Sequence, residues 1–143
     1  MEKLTQESKK IMDERFGRDN VVALATVKDG VPWVRNVNAF YQDGCFYIIT
    51  HALSNKMKQL AANPAAAIAG DWFTARGKGI NLGWFGKPEN KDIAGRLKKA
   101  FSTWIDNGHN DFSSENTCIL CIQLTEGVLF SHGSKYVIDF TKE

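Results

Sequence analysis

The sequence predicts a mainly β chain folded as an antiparallel barrel, closed or partly open, with a few peripheral helices. Three observations carry this expectation. Short apolar runs recur with tight turns between them, at Asp29-Gly30 and Asp43-Gly44 among others, and strands joined so closely must pair antiparallel. Regular alternation of strand and helix is missing, and so is GxGxxG, which removes the parallel α/β architectures. The run Ala65 to Trp72 is a strand-like stretch of small residues, which suits a crowded barrel interior.

The elements follow in order. Leu4, Ile11, Met12 and Phe16 recur at helical spacing and Gly17 follows, so the chain opens with a short amphipathic helix stopped by glycine. Val21 to Val27 and Val31 to Tyr41 form a hairpin about Lys28-Asp29-Gly30, and Gln42-Asp43-Gly44 turns into a strand from Cys45 to Thr50. A helix from Ser54 to Ala62 stops at Asn63-Pro64, because proline cannot continue it. After the small-residue strand, Phe73 to Trp84 is a further strand in which Gly77, Gly79 and Gly83 mark a bend or a close backbone approach. Pro88 stands near the start of a helix whose Ile93, Leu97, Phe101 and Trp104 form a core-facing stripe, closed by Asn107-Gly108. Thr117 to Thr125, Val128 to Ser131 and Lys135 to Phe140 are the last strands.

With 143 residues and 43% hydrophobic content, residues 1–143 make one compact domain. No apolar run is long enough to span a bilayer, and Met1-Glu2-Lys3-Leu4-Thr5 lacks the apolar core of a signal peptide, so the expected location is cytoplasmic. A net charge of +2 with dispersed lysines argues against nucleic acid and for a small anionic partner at most. The three cysteines are expected to be reduced thiols. Cys118-Ile-Leu-Cys121 has redox spacing, yet residues three apart on a strand point to opposite faces and cannot converge on a disulfide or a metal. Cys45 is read as packing, and no metal site is expected. Gly77-Lys78-Gly79 lacks the spacing and terminal residues of a phosphate loop.

The candidate site lies around the second helix. Ser54 is a good N-cap, the first helical N–H groups lack partners, and the helix dipole places partial positive charge there. Lys56 and Lys58 add full charges, so a phosphate among Thr50, Ser54 and Lys56 is coherent. Ser-x-Lys at a helix start is also a common solvated turn. Arg35 stands in the row Trp33, Arg35, Val37, Ala39, opposite the row Val34, Asn36, Asn38, Phe40. Two readings are open for it: a partner for an anion, or an edge-strand charge that blocks aggregation.

These residues resemble the pyridoxamine 5′-phosphate oxidase-related family of flavin mononucleotide (FMN)-binding split-barrel proteins. The resemblance covers most of the chain and is most specific from Val21 to Pro64. It implies an antiparallel split β-barrel of the FMN-binding type and FMN as cofactor. In that family the second strand offers an arginine and main-chain groups to the flavin, which here falls on Arg35-Asn36-Val37. The third strand ends in a threonine and the next helix opens with a Ser-Arg-Lys motif that holds the phosphate, matched by Thr50 and Ser54-Asn55-Lys56 with Asn55 in place of the arginine. His51 is expected to pack against the cofactor.

Phe40 stands where the full oxidases carry a lysine, and their C-terminal arginine and histidine segment has no counterpart here, so efficient vitamin B6 oxidation is not implied. Gly77 to Gly83, Asn107 to Asn110 and Gly127 to Gly133 look like segments of small bacterial relatives that carry no known activity; His109 and His132 there are candidate proton donors, but a lone loop histidine is usually solvated or bound to backbone. The implied function is an FMN protein, a flavin-dependent oxidoreductase using an unknown small substrate or electron donor. It is expected to be a homodimer with a shared cofactor site, in line with an aromatic supply of Trp33, Trp72, Phe73, Trp84 and Phe85. The alternatives are a binding module for flavin, haem or a deazaflavin, and a structural dimer without cofactor.

Overall fold

A computed structural model describes residues 1–108 and 110–142. His109, one candidate proton donor, lies outside the described residues. The order is α1 (Gln6–Phe16), β1 (Asn20–Lys28), β2 (Val31–Gln42), β3 (Cys45–His51), α2 (Asn55–Ala62), β4 (Ala65–Gly70), β5 (Phe73–Trp84), a 3-10 turn (Pro88–Asn90), α3 (Lys91–Ala100), β6 (Thr117–Ser131) and β7 (Ser134–Asp139). The strands lie in the order β3-β2-β1-β4-β5-β6-β7, and a further β3–β6 pairing closes β1 to β6 into a six-stranded antiparallel barrel. At the Asp29-Gly30, Asp43-Gly44 and His132-Gly133 hairpins both turn residues have positive φ, the geometry that matches strand twist and favours Asp-Gly.

The barrel is split at one place. β2 and β3 pair only over Phe40–Gln42 with Cys45–Tyr47, whereas β1 pairs along β2 from Val31 to Ala39. That part of β2 therefore has no strand on its other side among the described residues, and its main-chain groups there are open to a ligand. α2 begins beside this opening, directly after β3.

Two cores hold the fold. Inside the barrel, Phe16 from α1 meets Phe46 and Phe73 at ring separations of 5.6 and 5.4 Å, surrounded by Met12, Leu24, Ile48, Ile68, Leu120 and Leu129. Each such side chain contributes about 1.5–3 kcal/mol when fully buried. Outside it, Leu97, Phe101 and Ile105 pack with Phe85 on Ile119 of β6, flanked by Phe40, Tyr47 and Ile49. The expected stripe is thus a core, though α3 ends at Ala100 and Phe101 and Ile105 continue it in turns.

Several expectations change. α1 starts with a reciprocal Thr5–Ser8 capping box, and Gly17 does not stop it by left-handed geometry, since its φ is −76°. Glycine is needed there because a Cβ would collide with the Asp13 carbonyl. β4 ends at Gly70, not Trp72, because Asp71-Trp72 forms the turn with Trp72 at φ 51°. Only Ala66 and Ile68 of β4 face the interior; Ala65 and Ala69 are exposed and Ala67 half-buried, so the small residues mostly serve the outer face. The runs Thr117 to Thr125 and Val128 to Ser131 are one continuous strand, β6, in which Gly127 leaves room for the rings of Phe73 and Phe140 instead of breaking the strand. Among the described residues no helix is long and apolar enough to cross a membrane.

Candidate functional site

The opening of the barrel brings the two ends of the expected constellation together. Thr50, the penultimate residue of β3, is buried, and its hydroxyl lies 3.4 Å from that of Ser54. Ser54 has the extended backbone of an N-cap, φ −66° and ψ 158°, but its side chain makes no capping bond. The start of α2 is therefore left for another acceptor, with two hydroxyls beside it. Lys56 follows, half-buried, its ammonium pKa pushed down first by burial and then by the nearby charge of Arg35.

Arg35 is turned into the barrel instead of outward along the open edge of β2. Its guanidinium donates to the Leu24 carbonyl at 3.3 Å, to Thr26 Oγ1 at 2.8 Å and to Gln59 Oε1 at 3.0 Å. Thr26 in turn donates to the same Gln59 oxygen at 2.5 Å. All three acceptors are neutral, no described carboxylate pairs with Arg35 or Lys56, and burial lowers the Arg35 pKa as well. Two half-buried cations side by side destabilise each other, and an anion between them relieves both. This donor set fits a phosphate: two hydroxyls, an uncapped helix start and two cations lacking counter-charges.

The other expected residues divide. Val37 packs against the barrel core, and Asn36 is exposed in the opposite row of β2, so only its main chain stands at the opening. His51 is exposed and its Nδ1 accepts from the Leu53 N–H at 3.1 Å. Lys58 does not join Lys56, since positions 56 and 58 are about 200° apart around a helix; Lys58 lines a cleft with Arg35, Asn55, Gln59 and Ala62. His132 sits at φ 49° in the β6–β7 turn, lining a groove with α1 residues instead of α2. Sequence reasoning missed Thr26 and Gln59. Their signal was a polar residue in the apolar β1 row Val22, Leu24, Thr26 and another beside Leu60 on the buried side of α2.

Cys118 and Cys121 point to opposite faces as expected, Cys118 into the barrel core. Cys45, read as packing, lies on β3 diagonal to Cys121 of β6, and that neighbouring thiol lowers its pKa. Among the described residues no group of three or more His, Cys, Asp or Glu side chains is placed to hold a metal ion.

Comparison with solved structures finds the same barrel elsewhere. A NimC/NimA family protein from Clostridium acetobutylicum superposes with a TM-score of 0.66 at 20% identity, covering 92% of this chain and 90% of that one. A FAD-binding protein from Mesorhizobium loti gives 0.65 at 19% identity over 87% of this chain and 92% of that one. A heme-binding protein from Mycobacterium smegmatis gives 0.67 at 14% identity over 87% of this chain but only 54% of its own length. At such identities the likeness is one of fold. No curated protein matches the sequence. The profile of the pyridoxamine 5′-phosphate oxidase family, however, matches residues 8–111, a span running from α1 through β5 and α3 and including the whole opening of the barrel; the chain belongs to that family.

Proposed function

We propose that this chain is a cytoplasmic FMN-binding protein, a flavin-dependent oxidoreductase acting on a small substrate or electron donor, in which Arg35, Thr50, Ser54 and Lys56 hold the cofactor phosphate. The observation that carries this reading is the pairing of Lys56 with Arg35 beside an uncapped α2, with no carboxylate among the described residues to neutralise either. When bound, FMN supplies the two-electron redox chemistry. The chain's own part is to bind and orient. Thr26 and Gln59 fix the guanidinium of Arg35 before any ligand arrives, so little ordering remains to be done on binding. The open main chain of β2 from Arg35 to Val37 offers hydrogen-bonding groups alongside, and His51 and Asn55 stand at the rim. Vitamin B6 oxidation is not part of the proposal, since Phe40 belongs to the outer core with Tyr47 and the α3 side chains and offers no charge to a substrate.

The same reading makes the protein a homodimer with a shared cofactor site. Its support is the outer face of β1, β4, β5 and β6, where Ala23, Ala25, Ala67, Ala69 and Val128 line an apolar groove of about 510 Å³. Trp33 and Trp72 are exposed, whereas Phe73 and Phe85 fill the two cores, so part of the aromatic supply does exceed what one barrel buries.

The test is titration of apoprotein with FMN, preceded by an absorption spectrum of the protein as purified. Lys56→Ala is expected to weaken FMN binding by about 1.5–3 kcal/mol, the range for a hydrogen bond to a charged group. Arg35→Ala is expected to weaken it too while loosening Thr26 and Gln59, so Lys56 is the cleaner probe. Unchanged affinity in both variants overturns the placement, and a haem band without flavin moves the protein to a haem-binding role.

A further inference from the structure

The outer face of β3 and β6 carries two thiols that the cofactor reading does not use. β3 alternates, with Phe46, Ile48 and Thr50 buried and Cys45, Tyr47 and Ile49 turned the other way. On β6 the row beside them contains Ile119 and Cys121. Tyr47 stands directly opposite Cys121, and Cys45 opposite Gln123, so Cys45 and Cys121 are diagonal neighbours on one face. Of the two diagonals in an antiparallel pair, right-handed strand twist draws this one together. The surroundings of the two thiols differ. Cys45 directly follows the Asp43-Gly44 turn and is half-exposed, whereas Cys121 is 5% exposed and flanked by Tyr47 on β3 and Ile80 on β5. Cys121 belongs to neither hydrophobic core among the described residues, although Cys118 belongs to the inner one. A small solute therefore reaches Cys45 from solvent, and the covered Cys121 is the thiol next to it.

We infer that Cys45 and Cys121 form a hydroperoxide-reactive dithiol, in which Cys45 attacks the oxidant and Cys121 closes a reversible disulfide between β3 and β6. In the first step the Cys45 sulfur takes the outer oxygen of hydrogen peroxide. The O–O bond breaks, and the departing hydroxide takes a proton from solvent, leaving a sulfenic acid and water. In the second step the Cys121 sulfur attacks the Cys45 sulfur, the S–O bond breaks, and hydroxide leaves as water with the Cys121 proton. Together the two thiols lose two electrons and two protons, and one peroxide becomes two waters. The titratable groups beside Cys45 favour the first step: Cys121 and Tyr47 lower its pKa against burial and Asp43, which populates the thiolate at neutral pH. A diagonal pair is still near the long end of the Cα separations that a disulfide spans, about 7 Å, which makes a bond that thiols reduce readily. The inference does not rest on the FMN reading, because peroxide from any source serves.

The experiment treats the reduced full chain with stoichiometric hydrogen peroxide at neutral pH, then denatures and alkylates it for intact-mass measurement and non-reducing peptide mapping. Alkylated cysteines are expected to fall from three per chain to Cys118 alone, with the Cys45 and Cys121 peptides joined, and dithiothreitol is expected to restore all three. In Cys121→Ala, where no resolving thiol remains, dimedone is expected to trap the Cys45 sulfenic acid. In Cys45→Ser, Cys121 is expected to stay reduced over the same time. Retention of three alkylated cysteines in the parent, Cys45 driven to sulfinic acid with Cys121 still free, or a Cys45-to-Cys45 link between chains overturns the inference. So does oxidation of Cys121 in Cys45→Ser at the parent rate. The parent mapping involves no substitution, so a variant that fails to fold leaves the test intact.

Discussion

Arg35 and Cys45 show how much a single side chain owes to residues distant in sequence. The strand alternation puts Arg35 on the inward row, but its three neutral acceptors come from β1 and α2, and they turn an arginine that reads as either ligand or edge charge into a prepositioned cation. Cys45 lies half-exposed on β3, diagonal to Cys121 of β6 and beside Tyr47. The neighbouring Cys121 thiol, with Tyr47, brings the Cys45 pKa down to about 7 against the opposing pull of burial, while that of Cys121 is pushed up. A thiolate is the reactive form, and a lowered pKa populates it at neutral pH. The rate of Cys45 alkylation by iodoacetamide is therefore expected to rise with pH through a midpoint of about 7 and level off above it. Cys121→Ala removes that neighbouring thiol and is expected to move the midpoint up toward the ordinary thiol value of about 8.5. Peptide mass mapping keeps buried Cys118 apart from Cys45, and an unmoved midpoint in Cys121→Ala would remove Cys121 as the cause.

At the scale of the element, the glycines of β5 and α3 have opposite meanings that sequence alone does not separate. Gly77 sits at a register shift between β5 and β6, where a Cβ would run into the Gln123 carbonyl of the paired strand. Gly77→Ala must push two strands of the barrel apart, and a loss of about 1–3 kcal/mol is expected from such overpacking. Gly95 lies on the exposed side of α3 with open space around it, so Gly95→Ala is expected to add about 0.5–1 kcal/mol by restricting the unfolded chain and favouring the helix. Urea denaturation of both variants checks the pair; equal effects would mean that the β5–β6 contact yields freely. The strand nature of Phe73 to Trp84 and its bend were legible from its apolar ends and three glycines. Its partner was not, because pairing with β6 joins segments some forty residues apart in the chain.

Across the whole molecule, the distribution of small residues decides what the outer surface can do. Alanines in alternate positions of β1 and β4 lie side by side on the outside, with Val34, Val128 and Val137 around them, a flat apolar face with few long side chains to keep a neighbour away. A second copy on this face is expected to give a dimer mass by light scattering at micromolar concentration. Ala69→Glu, at an exposed position on the groove, is expected to give a monomer with an unchanged circular dichroism spectrum. A monomeric parent protein removes the dimer, and a dimeric Ala69→Glu moves the interface elsewhere.

The sequence by itself determined the antiparallel hairpins and the opening of α2 after β3. Asp-Gly pairs fix tight turns, alternation fixes which residues of a strand share a face, and Asn63-Pro64 ends a helix, all through interactions spanning a few residues. It also placed Thr50, Ser54 and Lys56 together, since they lie within two turns of chain. Only the tertiary structure decided which face of β4 looks outward, because a strand row of small residues fits a crowded interior and an exposed groove equally well. Closure by β3 against β6 likewise set Cys45 beside Cys121, and the incomplete β2–β3 pairing left the edge of β2 open above Arg35. These outcomes depend on contacts between distant segments, where the cost of closing a long loop is recovered only when many side chains pack at once.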